Sequence, residues 1–107
     1  MKMYILVRDK APLGIAMASV AHASLACYLE YKDSQRMQEW LAKSFKKVVC
    51  KVTDKQFHEA KEFAKEGGYL SEHVVMTESA WKNDEVSIAF CPQENWPPAF
   101  SSYILYQ

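Results

Sequence analysis

Excess charge of either sign is missing from this 107-residue chain, in which 13 lysines and arginines are balanced by 13 acidic residues. A molecule without net charge has no long-range field to draw it onto a polyanion, so any contact with nucleic acid must come from a local patch. Glycine is scarce at three residues, and Gly14 stands without a GxGxxG or GxxxxGKS/T pattern, which excludes a nucleotide-binding loop. Cysteine occurs three times, at Cys27, Cys50 and Cys91, an odd number with no CxxC spacing. Each lies in an apolar stretch, as reduced core thiols do, and this points to the cytosol. His22, His58 and His73 are scattered, with no HxxxH or HxxE spacing, so no metal site is expected. The amino-terminal MKMYILVRDK holds too short an apolar run for a signal-peptide core or a membrane span. There is no internal repeat, low-complexity tract or linker, and neither a cofactor nor a membrane is indicated.

What is present is apolar: 50% of the residues are hydrophobic, enough for one ordinary domain over residues 1–107. MYILVR at 3–8 is a continuous aliphatic and aromatic run, the mark of a strand covered on both faces. Pro12 suits the first turn of a helix that continues, small and apolar, to about Tyr31. A second helix is expected after the cap candidates Asp33 and Ser34, with Met37, Trp40 and Leu41 as its core stripe. FKKVVCKV at 45–52 reads as the next strand. TDKQ, from Thr53 to Gln56, fits a capping box that opens a third helix burying Phe57, Ala60 and Ala64. Gly67 and Gly68 end that helix. EHVVMT at 72–77 and VSIAFCP at 86–92 are two further strands, and SYILY closes the chain as an apolar tail. Strands separated by helices imply βαβ crossovers, hence an α/β fold: a three-layer α/β/α sandwich on a mixed, mostly parallel four-stranded sheet.

Helical spacing sets Ile15, Ser19 and His22 along one line of the first helix. Histidine titrates near neutrality, and Ser19 lies close enough in sequence to share a hydrogen bond with it. Without a third orienting group, spacing alone favours a polar pair in a packed helix over a catalytic site. Arg8, Asp9 and Lys10 end the first strand, and Thr77 and Glu78 end the third strand, at the edge where open α/β sheets bind ligands. Lys43, Lys46, Lys47 and Lys51, with Trp40 nearby, form the densest basic stretch. Lysines so placed either touch phosphates or keep a sheet edge soluble, and the edge role is the simpler expectation.

Aligned with its flanks, the first helix resembles that of the type II peptidyl-tRNA hydrolase family. MYILVRD is similar to the family's opening strand, AMASVAHASLACY to its AAQxxHAA helix, FKKVVCKVTD to its second strand, and ILY to its closing LxLY. His22 with Ala23 is the best match. The loops look closest to the small divergent branch of peptidyl-tRNA hydrolase domain-containing proteins. The resemblance implies release of peptide from tRNA by ester hydrolysis, catalytic roles for His22, Glu78 and Thr77, and assembly as a homodimer. Ser19, Arg8 and Lys10 would contact substrate, Ser19 as a hydrogen-bond partner and the two cations at phosphates or the oxyanion. The sequence also departs from the family pattern. The second lysine of GKGK falls at Ile15, the glutamine at Ser19, the aspartate of DAG is similar to Glu78, and a threonine falls at Val86. With that lysine gone, the rival to a weakened hydrolase is a non-catalytic module that holds RNA or a peptide in the same cleft.

Overall fold

The run MYILVR becomes the centre of β1 (Lys2–Arg8), whose five middle residues are all buried, as a strand covered on both faces requires. The computed structural model describes residues 1–107. After β1 come α1 (Leu13–Tyr31), α2 (Gln35–Ala42), β2 (Lys46–Val52) and α3 (Asp54–Lys65). They are followed by β3 (His73–Glu78), β4 (Asp84–Phe90), α4 (Pro98–Ser102) and β5 (Ile104–Leu105). The helix signals act as local chemistry dictates. Ser34 Oγ accepts the Met37 amide at 3.1 Å, and Thr53 and Gln56 satisfy each other's amides at 3.1 and 2.9 Å. Gly67 and Gly68 adopt φ of 91° and 66°, which a residue with a side chain would resist.

The sheet corrects the expectation of four mostly parallel strands. It has five, in the order β3-β4-β1-β2-β5, and one of its four neighbour pairs, β1 with β2, is parallel. That pair is joined through α1 and α2, the long crossover a parallel pair needs. β3 and β4 are joined only by residues 79–83, too few for a crossover, and so pair as an antiparallel hairpin. β4 then lies antiparallel to β1. The apolar tail supplies the fifth strand: Ile104 and Leu105 pair with Lys51 and Cys50, too short a stretch to carry a periodic signal.

The three-layer arrangement holds, with a different core on each face. Met3, Ile5 and Val7 of β1 pack with Ala16, Ala23, Cys27, Met37 and Trp40 of α1 and α2. Tyr4 and Leu6 point the other way, onto Phe57 and Ala60 of α3 and Phe100 of α4. Leu41 does not join the α2 core stripe and is 40% exposed. α1 rests on the sheet through Ala16, Ser19, Ala23 and Cys27, small residues that bring its backbone close to β1, β3 and β4. Leu13, Met17, Leu25 and Leu29 on its outer side are exposed. By length and composition α1 could cross a membrane, yet here it packs on a sheet.

Candidate active site

β3 extends one residue further than the sequence suggests, and that residue is Glu78. Val74 and Met76 pack against the α1-side core, and strand alternation puts Glu78 on the same face. His22 meets it there from the flank of α1: His22 Nδ1 lies 3.2 Å from Glu78 Oε2. The carboxylate side chain is 10% exposed and the imidazole 56%. A carboxylate can only accept, so the pair sets Nδ1–H as donor and leaves Nε2 free to accept a proton on the solvent side. The orienting group that the sequence lacked beside His22 is thus 56 positions away in the chain.

Ser19 does not reach His22. Three residues advance a helix by about 300°, which turns Ser19 into the sheet while His22 stays on the flank. Its hydroxyl pairs instead with Ser87 of β4 at 2.7 Å, both groups fully buried. Thr77 alternates to the face opposite Glu78 and is exposed, so the fold does not bring it to the pair. Ile15 is partly buried against the α1-side core and offers no polar group.

Arg8 and Lys10 lie at the same end of the sheet, already matched by carboxylates. Arg8 Nε donates to Asp54 at 3.0 Å, and its Nη1 donates to Asp84 at 2.9 Å and to the Glu85 carbonyl at 2.8 Å. The guanidinium carbon stands 5.0 Å from the centre of the Trp81 ring. Lys10 Nζ reaches the other Asp54 oxygen at 2.8 Å. Arg8, and after it Lys10, holds the Asp54 carboxyl down at about 2. This network ties the end of β1 to the starts of α3 and β4, which makes it a frame for that end of the sheet.

Sequence reasoning missed Ser87, Asp54 and Asp84. Ser87 had a signal, as the lone hydroxyl in the apolar strand VSIAF. The others had none, because their partners are 46 and 76 positions from them in the chain. No group of three histidine, cysteine, aspartate or glutamate side chains is placed to hold a metal ion.

What the arrangement can do is orient one accessible imidazole against a buried carboxylate, as a general base for water requires. The sequence profile described as peptidyl-tRNA hydrolase PTH2 matches residues 1–94. The curated peptidyl-tRNA hydrolase of Methanopyrus kandleri is 44% identical over 74 residues, covering 65% of this chain and 64% of that relative. The chain thus spans just under two thirds of the length of that enzyme. With a profile match over most of its length and the histidine–carboxylate pair in place, the chain belongs to the type II peptidyl-tRNA hydrolase family.

Proposed function

We propose that this chain, acting as one domain over residues 1–107, hydrolyses the ester that joins a peptide to tRNA, at a rate reduced by Ile15. The observation that carries the reading is the His22–Glu78 pair, an accessible imidazole oriented by a buried carboxylate. Water bound at His22 Nε2 gives up its proton to that nitrogen as its oxygen bonds to the ester carbonyl carbon, forming a tetrahedral oxyanion. The intermediate collapses by breaking the bond to the ribose oxygen, which takes the proton back from Nε2. Peptide carboxylic acid and free tRNA hydroxyl result. Glu78 positions the ring and balances the transient imidazolium, so it is a positioning residue. Neither Arg8 nor Lys10 is spare for the oxyanion, since they are held by Asp54 and Asp84. One missing donor costs about two to three orders of magnitude in rate.

The rate of peptide release from a defined N-acyl-aminoacyl-tRNA tests this reading. We expect release above background that falls about 10²-fold or more in His22→Ala. Native protein that releases nothing, while Ile15→Lys does, would hand the lead to the second reading, a binding module for RNA or peptide. Ile15 is the observation that favours it.

The reading includes a cytosolic location, supported by three buried, unpaired cysteines, and a homodimer. Support for the dimer is the outer side of α1, where Leu13, Met17, Leu25 and Leu29 stand exposed on a helix with no charge between Leu13 and Leu29. An exposed apolar face of this kind marks an association surface, and a second copy brings no repelling charge to it. Met17→Glu is expected to turn a dimer into a monomer in analytical ultracentrifugation, and a native monomer at micromolar concentration would remove the dimer from the reading.

A further inference from the structure

Five of the 13 basic residues are ion-paired; of the eight that are not, Lys2, Lys32, Lys55 and Lys82 are scattered and four cluster on β2 and just before it. Arg8, Lys10, Arg36, Lys61 and Lys65 each hold a carboxylate, and none of these lies on β2 or in the turn before it. Lys43, Lys46, Lys47 and Lys51 do lie there, in KSFKKVVCKV, a stretch of ten residues without an acidic side chain, and none has an ionic partner. In the parallel register Lys47 sits beside Met3 and Lys51 beside Val7, which sends both to the α1 face; Lys46 sits beside Lys2 on the other. The lysines therefore wrap the strand on both sides.

Aromatic rings support their ammonium groups where carboxylates are absent. Lys47 Nζ is 3.2 Å from the centre of the Phe45 ring and 5.0 Å from that of Trp40, and Lys51 Nζ is 4.7 Å from that of Tyr106. Keeping soluble the part of β2 that the short β5 leaves open explains the lysines but not the exposed ring of Phe45. Phe45 is 53% exposed, and its φ of 52° is a left-handed conformation that a bulky side chain avoids. That turn closes α2, since the Phe45 amide donates to the Trp40 carbonyl at 2.7 Å and the ring stands 5.1 Å from that of Trp40, yet about half of Phe45 is left to solvent. Beside the ring, a groove of about 450 Å³ opens between α1 and α2, lined by Tyr28, Trp40 and Leu41.

We propose that the lysine edge of β2, with Phe45 at its head, is the surface that holds the phosphate backbone and an unstacked base of an RNA. Lysines free of carboxylates, of which Lys47 and Lys51 donate to the Phe45 and Gln107 carbonyls at 3.0 Å, meet phosphates, and an exposed ring beside them stacks a base, the two terms that bind single-stranded and looped RNA. An acidic protein would use the lysines and leave the ring idle. The inference rests on the tRNA reading above and adds where the body of the tRNA lies. Across the sheet the strip is three strand spacings from β3, roughly 14 Å, so one tRNA can engage both the strip and the His22–Glu78 pair.

Fluorescence anisotropy of labelled deacylated tRNA, titrated over a range of salt, tests it on variants checked for folding by circular dichroism. Lys43→Gln/Lys46→Gln/Lys51→Gln is expected to weaken binding at least tenfold at low salt. It should also flatten the plot of log affinity against log salt by about 2, since each phosphate contact contributes about 0.7 to 0.9. Phe45→Asn, which tolerates the left-handed backbone, is expected to weaken binding about tenfold with the slope unchanged. Lys32→Gln/Lys55→Gln, away from the strip, should bind as the native chain does. Unchanged affinity and slope in the triple variant would overturn the proposal, as would equal displacement of tRNA by polyglutamate of matched charge. The two readings fail separately. Peptide release with lysine-independent tRNA binding sinks the surface and spares the hydrolase, whereas lysine-dependent binding without release does the reverse.

Discussion

The face of the sheet under α3 and α4 is closed by rings, and the face under α1 by small residues and hydroxyls. On the first, Phe100 stands 5.1, 5.4 and 5.0 Å from Tyr4, Phe90 and Trp96, and Phe63 and Tyr103 complete the group. On the second, Ala16, Ser19, Ala23 and Cys27 draw α1 close to the strands, and His22 meets Glu78 at its flank. Aromatic burial is the larger stabilising term per residue. A close-packed helix with polar pairs contributes less, but it sets two side chains from distant elements at a fixed separation. Both faces are sealed by a core of similar size, and the candidate site lies on the one under α1.

The sharpest way to break that comparison is to damage one face and read the other. Phe100→Ala removes the most connected ring of the aromatic face and is expected to cost about 3–5 kcal/mol in denaturant unfolding. Peptide release per folded molecule should stay at the native rate. A loss of rate in the folded fraction would show that the two faces are coupled. His22→Ala should do the converse, costing about 1 kcal/mol by leaving the Glu78 carboxylate without its partner while removing most of the activity. Ile15→Lys probes the α1 face alone, and a gain of about 10²-fold in release is expected if the missing donor is what slows it.

The smallest effect tests the one flaw in the aromatic face. The Tyr103 hydroxyl is buried without a hydrogen-bond partner, and burial pushes its pKa up to about 12. A folded-state value above the unfolded one means that the neutral phenol stabilises the fold below about pH 10 and that this contribution is lost as pH rises through about 12. Tyr103→Phe should therefore gain about 1 kcal/mol at neutral pH and flatten the alkaline part of the stability profile. Urea titrations at pH 7 and pH 11 measure both. Equal stabilities for the two proteins at both values would mean that the hydroxyl is solvated.

Elements whose cause is local were legible before any coordinates. The run at 3–8, the capping box at Thr53 and Gln56, and the glycines after α3 each act within a few residues, and each appears where the residues place it. The sheet was misread where pairing decides. Two exposed residues of the tail become a strand only because β2 has a free edge, and the β3–β4 pair is antiparallel because its connection is short. The candidate site divides the same way. His22 and Glu78 were both singled out, one from the helix and one from the end of a strand, but spacing tied His22 to Ser19. The fold ties it to Glu78, and ties Arg8 and Lys10 to Asp54.

The sequence by itself determined most of the helices and strands, and which residue types stand at the carboxyl end of β1 and β3. These follow from short-range steric and hydrogen-bonding rules that operate along the chain. Tertiary structure alone decided strand order, the pairing of Ser19 with Ser87 and of His22 with Glu78, and which cations keep a carboxylate and which lysines do not. Those contacts join residues 44 to 76 positions apart, and their geometry exists only once helices and sheet have packed.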